Sequence, residues 1–501
     1  MARPFSRKAL LHSLGCRQFS GRTEWYHTDI VNSRVRILAL ALSVLAACLP
    51  TASPGQVQQQ DLDRDFQAAV TQYEAGKYPE AAAKLEKLLP RVPESFEIHE
   101  LLGLVYAAQS EDKRARDHLE AAVRLKPASA SAHTNFGNVL VHRGELDLAE
   151  QQFKKAIALS PQDYEANHNL GELFARMNNI TEAIPYLQKA QQLNPGSYDN
   201  GYDLSFAYSL TGRLSEARQM IHDLVKLKNS AELHNLLAQV EEKDGNFVAA
   251  ANEFETAAHL DPTESNIFDW ASELLVHRTL EPAIEVFRQG TERYANSSRM
   301  AIGLGLAYYS LGKYDDAVKS LLRAADLDPS DPRGYPFLSR AFDSSPSQAN
   351  EVIERFRRFT ELQPTNGRAF YYYALSLWKS KRERDTNLDV SQIEFLLKKS
   401  IALEPDLPEA HLQLANLYSD QKKYAESIPE YLRARELNPD LADVHYRLAQ
   451  AYVRTGEKDL AQNEFTVYQQ LRERHLSDLD KQRAEIRQFV YSEKPGADGK
   501  P

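Results

Sequence analysis

The sequence predicts an all-α protein, a solenoid of about twelve stacked helical hairpins, and three observations carry that expectation. Prolines recur at a fixed interval: Pro127, Pro161 and Pro195 stand 34 residues apart, as do Pro405 and Pro439. A period of that size marks a repeat array. Between the prolines, as in HTNFGNVLVHRGELDLAEQQFKKAIALSP (His133 to Pro161), two amphipathic stretches of helical spacing flank a turn that contains Gly144. The composition is rich in helix formers and nearly free of strand signals, with 43% hydrophobic and 26% charged residues. A chain of 501 residues would otherwise read as two to four domains; in an array each hairpin contacts mainly its neighbours, so a single long array is expected.

Taken in order, residues 1–48 read as an N-terminal extension ending in an export signal. In RVRILALALSVLAACLPTASPGQ (Arg34 to Gln56) two arginines precede an apolar run, Ile37 to Ala47, that is too short for a permanent membrane span. Leu45-Ala46-Ala47-Cys48 resembles a bacterial lipobox, after which Cys48 would be diacylated and become the first residue. The alternative is cleavage a few residues later, for example after Gly55, with Cys48 only a small apolar residue of the signal. The n-region is long for a signal, and the expectation is that translation begins at Val31. Residues 49–59, with QVQQQ, read as a flexible spacer.

The formal charge is −10, and residues 1–48 hold seven Lys/Arg against two Asp/Glu, so the remainder is more acidic still. That balance argues against a general phosphate-binding surface, and no nucleic-acid partner is expected. Cys16 and Cys48 are the two cysteines, so the repeats hold no disulfide framework. A lack of thiols suits an oxidising compartment.

Residues 60–364 read as units 1–9. In the quoted unit the recurring slots hold His133, Phe136, Gly137, Leu140, Ala149, Phe153, Ala156 and Pro161. The next unit places Asn167, Leu170, Gly171, Phe174, Ala183, Leu187, Ala190 and Pro195 in register. Gly103, Gly137, Gly171 and Gly305 share the eighth slot, a poor choice for an isolated helix, so their recurrence predicts a close helix approach. This pattern resembles the tetratricopeptide repeat (TPR) family. The resemblance implies a right-handed α-solenoid, a superhelix of helix-turn-helix units whose first helices line an inner groove.

Residues 365–405 form unit 10, lengthened by seven residues between its helices around KSKRERDTNLDV (Lys379 to Val390). The reading left open there is a solvated loop or a partner contact. Residues 406–473 hold units 11–12. Residues 474–501 read as a C-terminal capping helix and a disordered tail.

No catalytic, metal or cofactor constellation emerges. Five of the fourteen histidines (His99, His133, His234, His411, His445) share the fourth slot, one per unit, which predicts packing. No H-E-x-x-H or G-x-S-x-G occurs, and Gly312-Lys313 lacks the remainder of a phosphate loop. The expectation is a non-enzyme without cofactor.

In the family resembled, slots 2, 5, 6, 9, 12 and 13 face a ligand. Carried onto this chain, they give a groove that begins polar, with Asn135, Asn138, His168, Asn169 and Glu172, and turns aromatic, with Tyr202, Phe206, Phe268, Tyr309, Tyr371, Trp378 and Tyr446. Packing of some of these rings between units is the alternative. Asn135, Asn169, Asp203 and Asp269 form a row suited to gripping a peptide backbone. Asn138 and Asn169 resemble part of a carboxylate clamp, whose cations are missing: Thr134 stands where a Lys would, and Asp199 and Asp203 fill the next basic slots.

The expected function is a non-enzymatic, exported scaffold, periplasmic or lipid-anchored to a bacterial membrane, that holds protein segments in an envelope complex. Secretion is the alternative location. The alternative function is an accessory role in envelope polysaccharide or protein export, or alongside a glycosyltransferase, with glycan stacked on the aromatic slots. Membrane contact is expected only through the lipid anchor.

Overall fold

In a computed structural model the described residues are 54–345, 348–384, 390–474 and 484. The leader with Cys48, and the expected capping helix apart from Ala484, lie outside them. Among the described residues there are 24 α-helices, one 3-10 turn at Leu89–Arg91 and no strand, which is two helices for each of twelve repeats. The chain divides into two compact units, Met1–Asp244 and Gly245–Pro501.

The first unit runs α1 (Pro54–Glu74), α2 (Tyr78–Leu88), α3 (Phe96–Ala108), α4 (Asp112–Leu125), α5 (Ala130–His142), α6 (Leu146–Leu159), α7 (Tyr164–Arg176), α8 (Ile180–Leu193), α9 (Tyr198–Leu210), α10 (Leu214–Leu227) and α11 (Ala231–Lys243). The second runs α12 (Phe247–Leu260), α13 (Glu264–Val276), α14 (Leu280–Arg293), α15 (Ser298–Ser310), α16 (Tyr314–Leu327), α17 (Tyr335–Ser344), α18 (Ala349–Leu362), α19 (Gly367–Arg384), α20 (Val390–Leu403), α21 (Pro408–Asp420), α22 (Tyr424–Leu437), α23 (Ala442–Thr455) and α24 (Lys458–Arg474). No described helix is long and apolar enough to cross a membrane.

The hairpin α5/α6 shows how the sequence builds each repeat. Two residues after Pro127, the Ser129 side chain accepts from the Ala132 N–H and starts α5. The same device recurs as Ser95 after Pro93, Asp163 after Pro161 and Ser197 after Pro195. Each such cap stabilises its helix by about 1 kcal/mol. At the turn Gly144 takes φ 74°, the left-handed conformation that reverses the chain at little cost in glycine.

Close approach then explains Gly137. A methyl group there would stand 2.5 Å from Cε1 of Phe153, a ring that is wholly buried. Gly171 and Leu187, and Gly305 and Leu321, repeat the fit. It is therefore the large residue of the second helix, sixteen positions on, that seats against the glycine. Phe136, Val139, Leu140 and Phe153 of this hairpin are buried, each contributing about 1.5–3 kcal/mol.

The closing proline does more than interrupt the helix. α6 ends at Leu159, Ser160 closes it and Pro161 follows. The prolyl carbonyl, having no helical partner, accepts from the side chain in the fourth slot of the next first helix, as Pro161 does from Asn167 Nδ2 at 3.3 Å.

Unit 10 departs from the expected loop. α19 has 18 residues where α15 and α21 have 13, so part of the insertion prolongs the first helix to Arg384. Residues 385–389 lie outside the described ones.

Candidate functional site

The fourth-slot histidines are each committed to their own hairpin. His133 lies 3.0 Å by Nε2 from the Pro127 carbonyl and 2.7 Å by Nδ1 from Gln152 Oε1. His99 meets Pro93 and His118, His411 meets Pro405 and Glu430, and His445 meets Pro439 and Glu464. His234 reaches Asn229, the residue that replaces the proline. In the last hairpin both neighbours of the ring are acceptors: Pro439 O at 2.9 Å and Glu464 Oε2 at 2.5 Å. Burial alone would lower the pKa of His445, but the hydrogen bonds to Glu464 and Pro439 and the carboxylate charge outweigh it, and the net direction is upward. These rings are staples between the end of one repeat and the hairpin that follows.

The polar slots of the first unit are largely spent within the array. Asn135 Nδ2 donates to Glu100 Oε1 at 3.3 Å, and Ser131 Oγ donates to the same oxygen at 3.1 Å. Burial raises the pKa of that glutamate. Asn169 Nδ2 donates to Asn138 Oδ1 at 2.8 Å. His168 Nδ1 lies 3.1 Å from Asn200 Oδ1, and its ring stacks on Tyr164. The row of amides thus links successive first helices to each other. Glu172 and Asp203 are half-buried beside it.

The aromatic slots divide between core and surface. Phe268 corrects the sequence reading: it is 0% exposed, edge-on to Phe287 at 5.8 Å, with the Arg299 guanidinium over its face, and it offers nothing to a ligand. Tyr202 and Trp378 are also buried, at 7% and 8% exposure. Phe206, Tyr309, Tyr371 and Tyr446 are half-buried. Tyr371 lies edge-on to Tyr372, and burial pushes its phenol well above the usual tyrosine value. Tyr446 packs against Phe465 and Tyr468. Tyr202, Phe206 and Asp203 belong to the first unit and the other named aromatics to the second.

The second unit holds a cavity of about 360 Å³ between α21 and α23. Asn416, Ser419 and Asp420 line it from α21, and Arg447, Gln450 and Arg454 from α23. All six stand in slots that the family resemblance implies as ligand-facing, yet the sequence reading named only Tyr446 nearby. Picking out amides and rings alone left two arginines unnoticed in slots 6 and 13. Tyr431, wholly buried, forms the floor and donates its hydroxyl hydrogen toward Asn416 Oδ1 at 2.8 Å, with Ser419 Oγ at 3.2 Å. Burial pushes this phenol up to about 12, so it stays a neutral donor.

Three family models described as tetratricopeptide or TPR repeats match the chain: one over residues 66–130 and 134–198, another over 175–240, and a third over 305–335 and 415–456. No curated protein matches it. Among solved structures the chain is similar to YrrB, described as a TPR protein with an unusual peptide-binding site, at 20% identity and TM-score 0.34 over 36% of this chain and 92% of that one. It is similar to Pseudomonas aeruginosa pilF at 21% identity and TM-score 0.37, covering 41% of this chain and 93% of that one. Yeast Tom70 matches at 13% identity and TM-score 0.33, covering 80% and 97%.

Proposed function

The chain belongs to the tetratricopeptide repeat family, and from that premise we propose that it is an exported, non-catalytic scaffold that holds protein segments on the faces of its first helices. A repeat array suits the task because it presents an extended surface whose stability comes from stacked neighbours and not from the bound partner. One observation carries the reading. The chemically versatile histidines of the fourth slot are consumed as staples, while the ligand-facing slots of α21 and α23 converge on an open cavity. Repeated staples beside a cavity lined by amides, hydroxyls and guanidinium groups fit recognition better than turnover.

The location belongs to the same proposal. The arginine pair, apolar run and Cys48 at the start of the sequence support export with lipid attachment at a bacterial membrane, and the array then works in an envelope complex. The test is co-purification and mass spectrometry from native membranes. Wild type is compared with Cys48→Ser and with a Glu172→Arg, Tyr309→Ala variant that changes one half-buried slot in each unit. The serine variant should leave the membrane fraction, and the surface variant should lose a partner that wild type retains. Unchanged fractionation removes the lipid anchor. An unchanged set of captured proteins removes these first-helix faces as the holding surface.

A further inference from the structure

We propose that His99 and His118, on the two helices of one hairpin, form a two-histidine site for a divalent transition metal of the zinc and nickel class, held through both Nδ1 atoms. The inference is independent of the scaffold reading. It stands on one repeat that answers the fourth-slot ring with a second imidazole, where other repeats set Gln152, Glu430 and Glu464 against it.

The separation suits chelation. His99 Nδ1, on α3, lies 3.1 Å from His118 Nδ1, on α4. Zinc–imidazole bonds are about 2.0–2.1 Å long, so an ion bonded to both nitrogens at that separation would hold them at an angle of about 98°. Square-planar and tetrahedral sites ask for about 90° and about 109°, and the pair falls between them. The neighbouring solutions of the same slot do not fit. His411 and Glu430 at 2.6 Å, and His445 and Glu464 at 2.5 Å, would close the angle to about 75–79° with bonds of that length.

Both rings are already oriented. His99 Nε2 lies 3.1 Å from the Pro93 carbonyl, which can only accept, so the ring hydrogen sits on Nε2 and the Nδ1 lone pair turns toward His118. A backbone carbonyl on the far nitrogen is the support that metal-bound histidines ordinarily have. His118 is held from another side: its ring stacks on Tyr106 at 5.6 Å and 21°, and the buried Tyr106 donates its hydroxyl hydrogen to Glu86 Oε1 at 2.5 Å. In the metal-free pair His118 Nδ1–H donates to His99 Nδ1. On binding, that hydrogen moves to Nε2 of the same neutral ring, so two lone pairs face the ion and no net proton is released.

The surrounding charge favours a cation. Arg114 is ion-paired with both Glu86 and Glu111, and Asp117 also stands close enough to act on His118. Three carboxylates against one guanidinium leave the neighbourhood negative. The two histidines are half-buried, so the ion keeps water on its remaining positions. Imidazole ligands select zinc, nickel and copper, whereas magnesium and calcium take oxygen.

The experiment titrates the full chain with ZnCl2, NiCl2 and MgCl2 by calorimetry, and follows hydrogen exchange with and without Zn2+. Wild type should bind Zn2+ and Ni2+ at a site that Mg2+ does not fill, and Zn2+ should raise protection in α3 and α4. Two variants remove a ligand while keeping the staple: His118→Gln copies the pairing of His133 with Gln152, and His99→Asn keeps a donor to the prolyl carbonyl as Asn167 does at Pro161. Each should weaken that site roughly tenfold or more. Gln152→His, which places a second imidazole opposite His133, should add a like site on α5 and α6, and it keeps the test decisive if a loss variant unfolds. Unchanged Zn2+ affinity in both loss variants, no Zn2+-dependent protection in α3 and α4, or no added site in Gln152→His overturns the proposal.

Discussion

Gly137→Ala is a sharp test of the packing argument, because helix propensity and packing oppose each other there. In an exposed helix the change would stabilise by about 0.5–1 kcal/mol. Here the new methyl would meet Phe153 at Cε1, Cδ1 and Cζ, at 2.5, 2.7 and 2.9 Å. Ordinary carbon contacts lie near 3.5–4.0 Å, so α5 and α6 must part by about 1 Å or the ring must leave its rotamer. Phe153 is 0% exposed and has no solvent to turn into. Overpacking of this kind costs about 1–3 kcal/mol. After subtracting the propensity gain the range is about 0–2.5 kcal/mol, and three contacts under 3 Å to a wholly buried ring place the expected loss in its upper half, above about 1 kcal/mol. Hydrogen exchange of peptides from α5 and α6 in a urea series is the suitable assay, because hairpins of an array need not unfold together. Phe153→Leu in the Gly137→Ala background should recover part of the loss, and the double-mutant cycle should show coupling of about 1 kcal/mol. A Gly137→Ala protein as protected as wild type, or more so, would refute the close-approach argument.

His445→Asn should keep the donor to the Pro439 carbonyl, as Asn167 supplies one to Pro161, while removing the titrating ring. Because the native pKa of His445 is raised, its stabilisation is complete below the ordinary histidine value of about 6.5 and fades as pH rises through the native value. Protection factors in α24 should therefore fall on the alkaline side in wild type and stay level in the variant; parallel profiles would exclude the imidazolium. At the turn before α22, Lys422 holds φ 61°, the conformation that Gly144 and Gly312 adopt in other repeats. Lys422→Gly should relieve about 1 kcal/mol of backbone strain, and a lower melting temperature would count against it.

Much of the fold was legible because the repeat writes the same instruction many times. The eighth-slot glycines announced a tight helix pair, and the 34-residue interval set the number of hairpins. The caps were equally visible but went unread: Ser95, Ser129, Asp163 and Ser197 all stand two residues after a proline. The candidate surface was harder to read, because a slot rule gives direction and not depth. Slot 5 lies in the seam between first helices, where Thr134, Tyr202 and Phe268 are all buried. Thr134 even returns its hydroxyl to the Ala130 carbonyl at 3.1 Å. Tyr202 and Phe268 in that slot are therefore spent on packing, while Tyr371 and Tyr446 in the same slot stay half-buried. The long first helix of unit 10 escaped notice for a related reason: KSKRER continues a helix as readily as it makes a solvated loop, and only tertiary context decides.

The second and the last hairpins of the described array also use one slot in opposite electrostatic senses. At His99 the partner is another imidazole, His118, whose pKa is lowered by burial and by the charges of His99 and Arg114. A lowered histidine pKa means that stability is present above the ordinary value and is lost as pH falls toward the native one. At His445 the partner is Glu464, and the sense is reversed. The prolyl carbonyl before each first helix anchors both rings, so the second-helix residue nineteen positions after the histidine decides which charge state the hairpin favours. Acid should therefore loosen the hairpin of α3 and α4 while the hairpin of α23 and α24 remains closed.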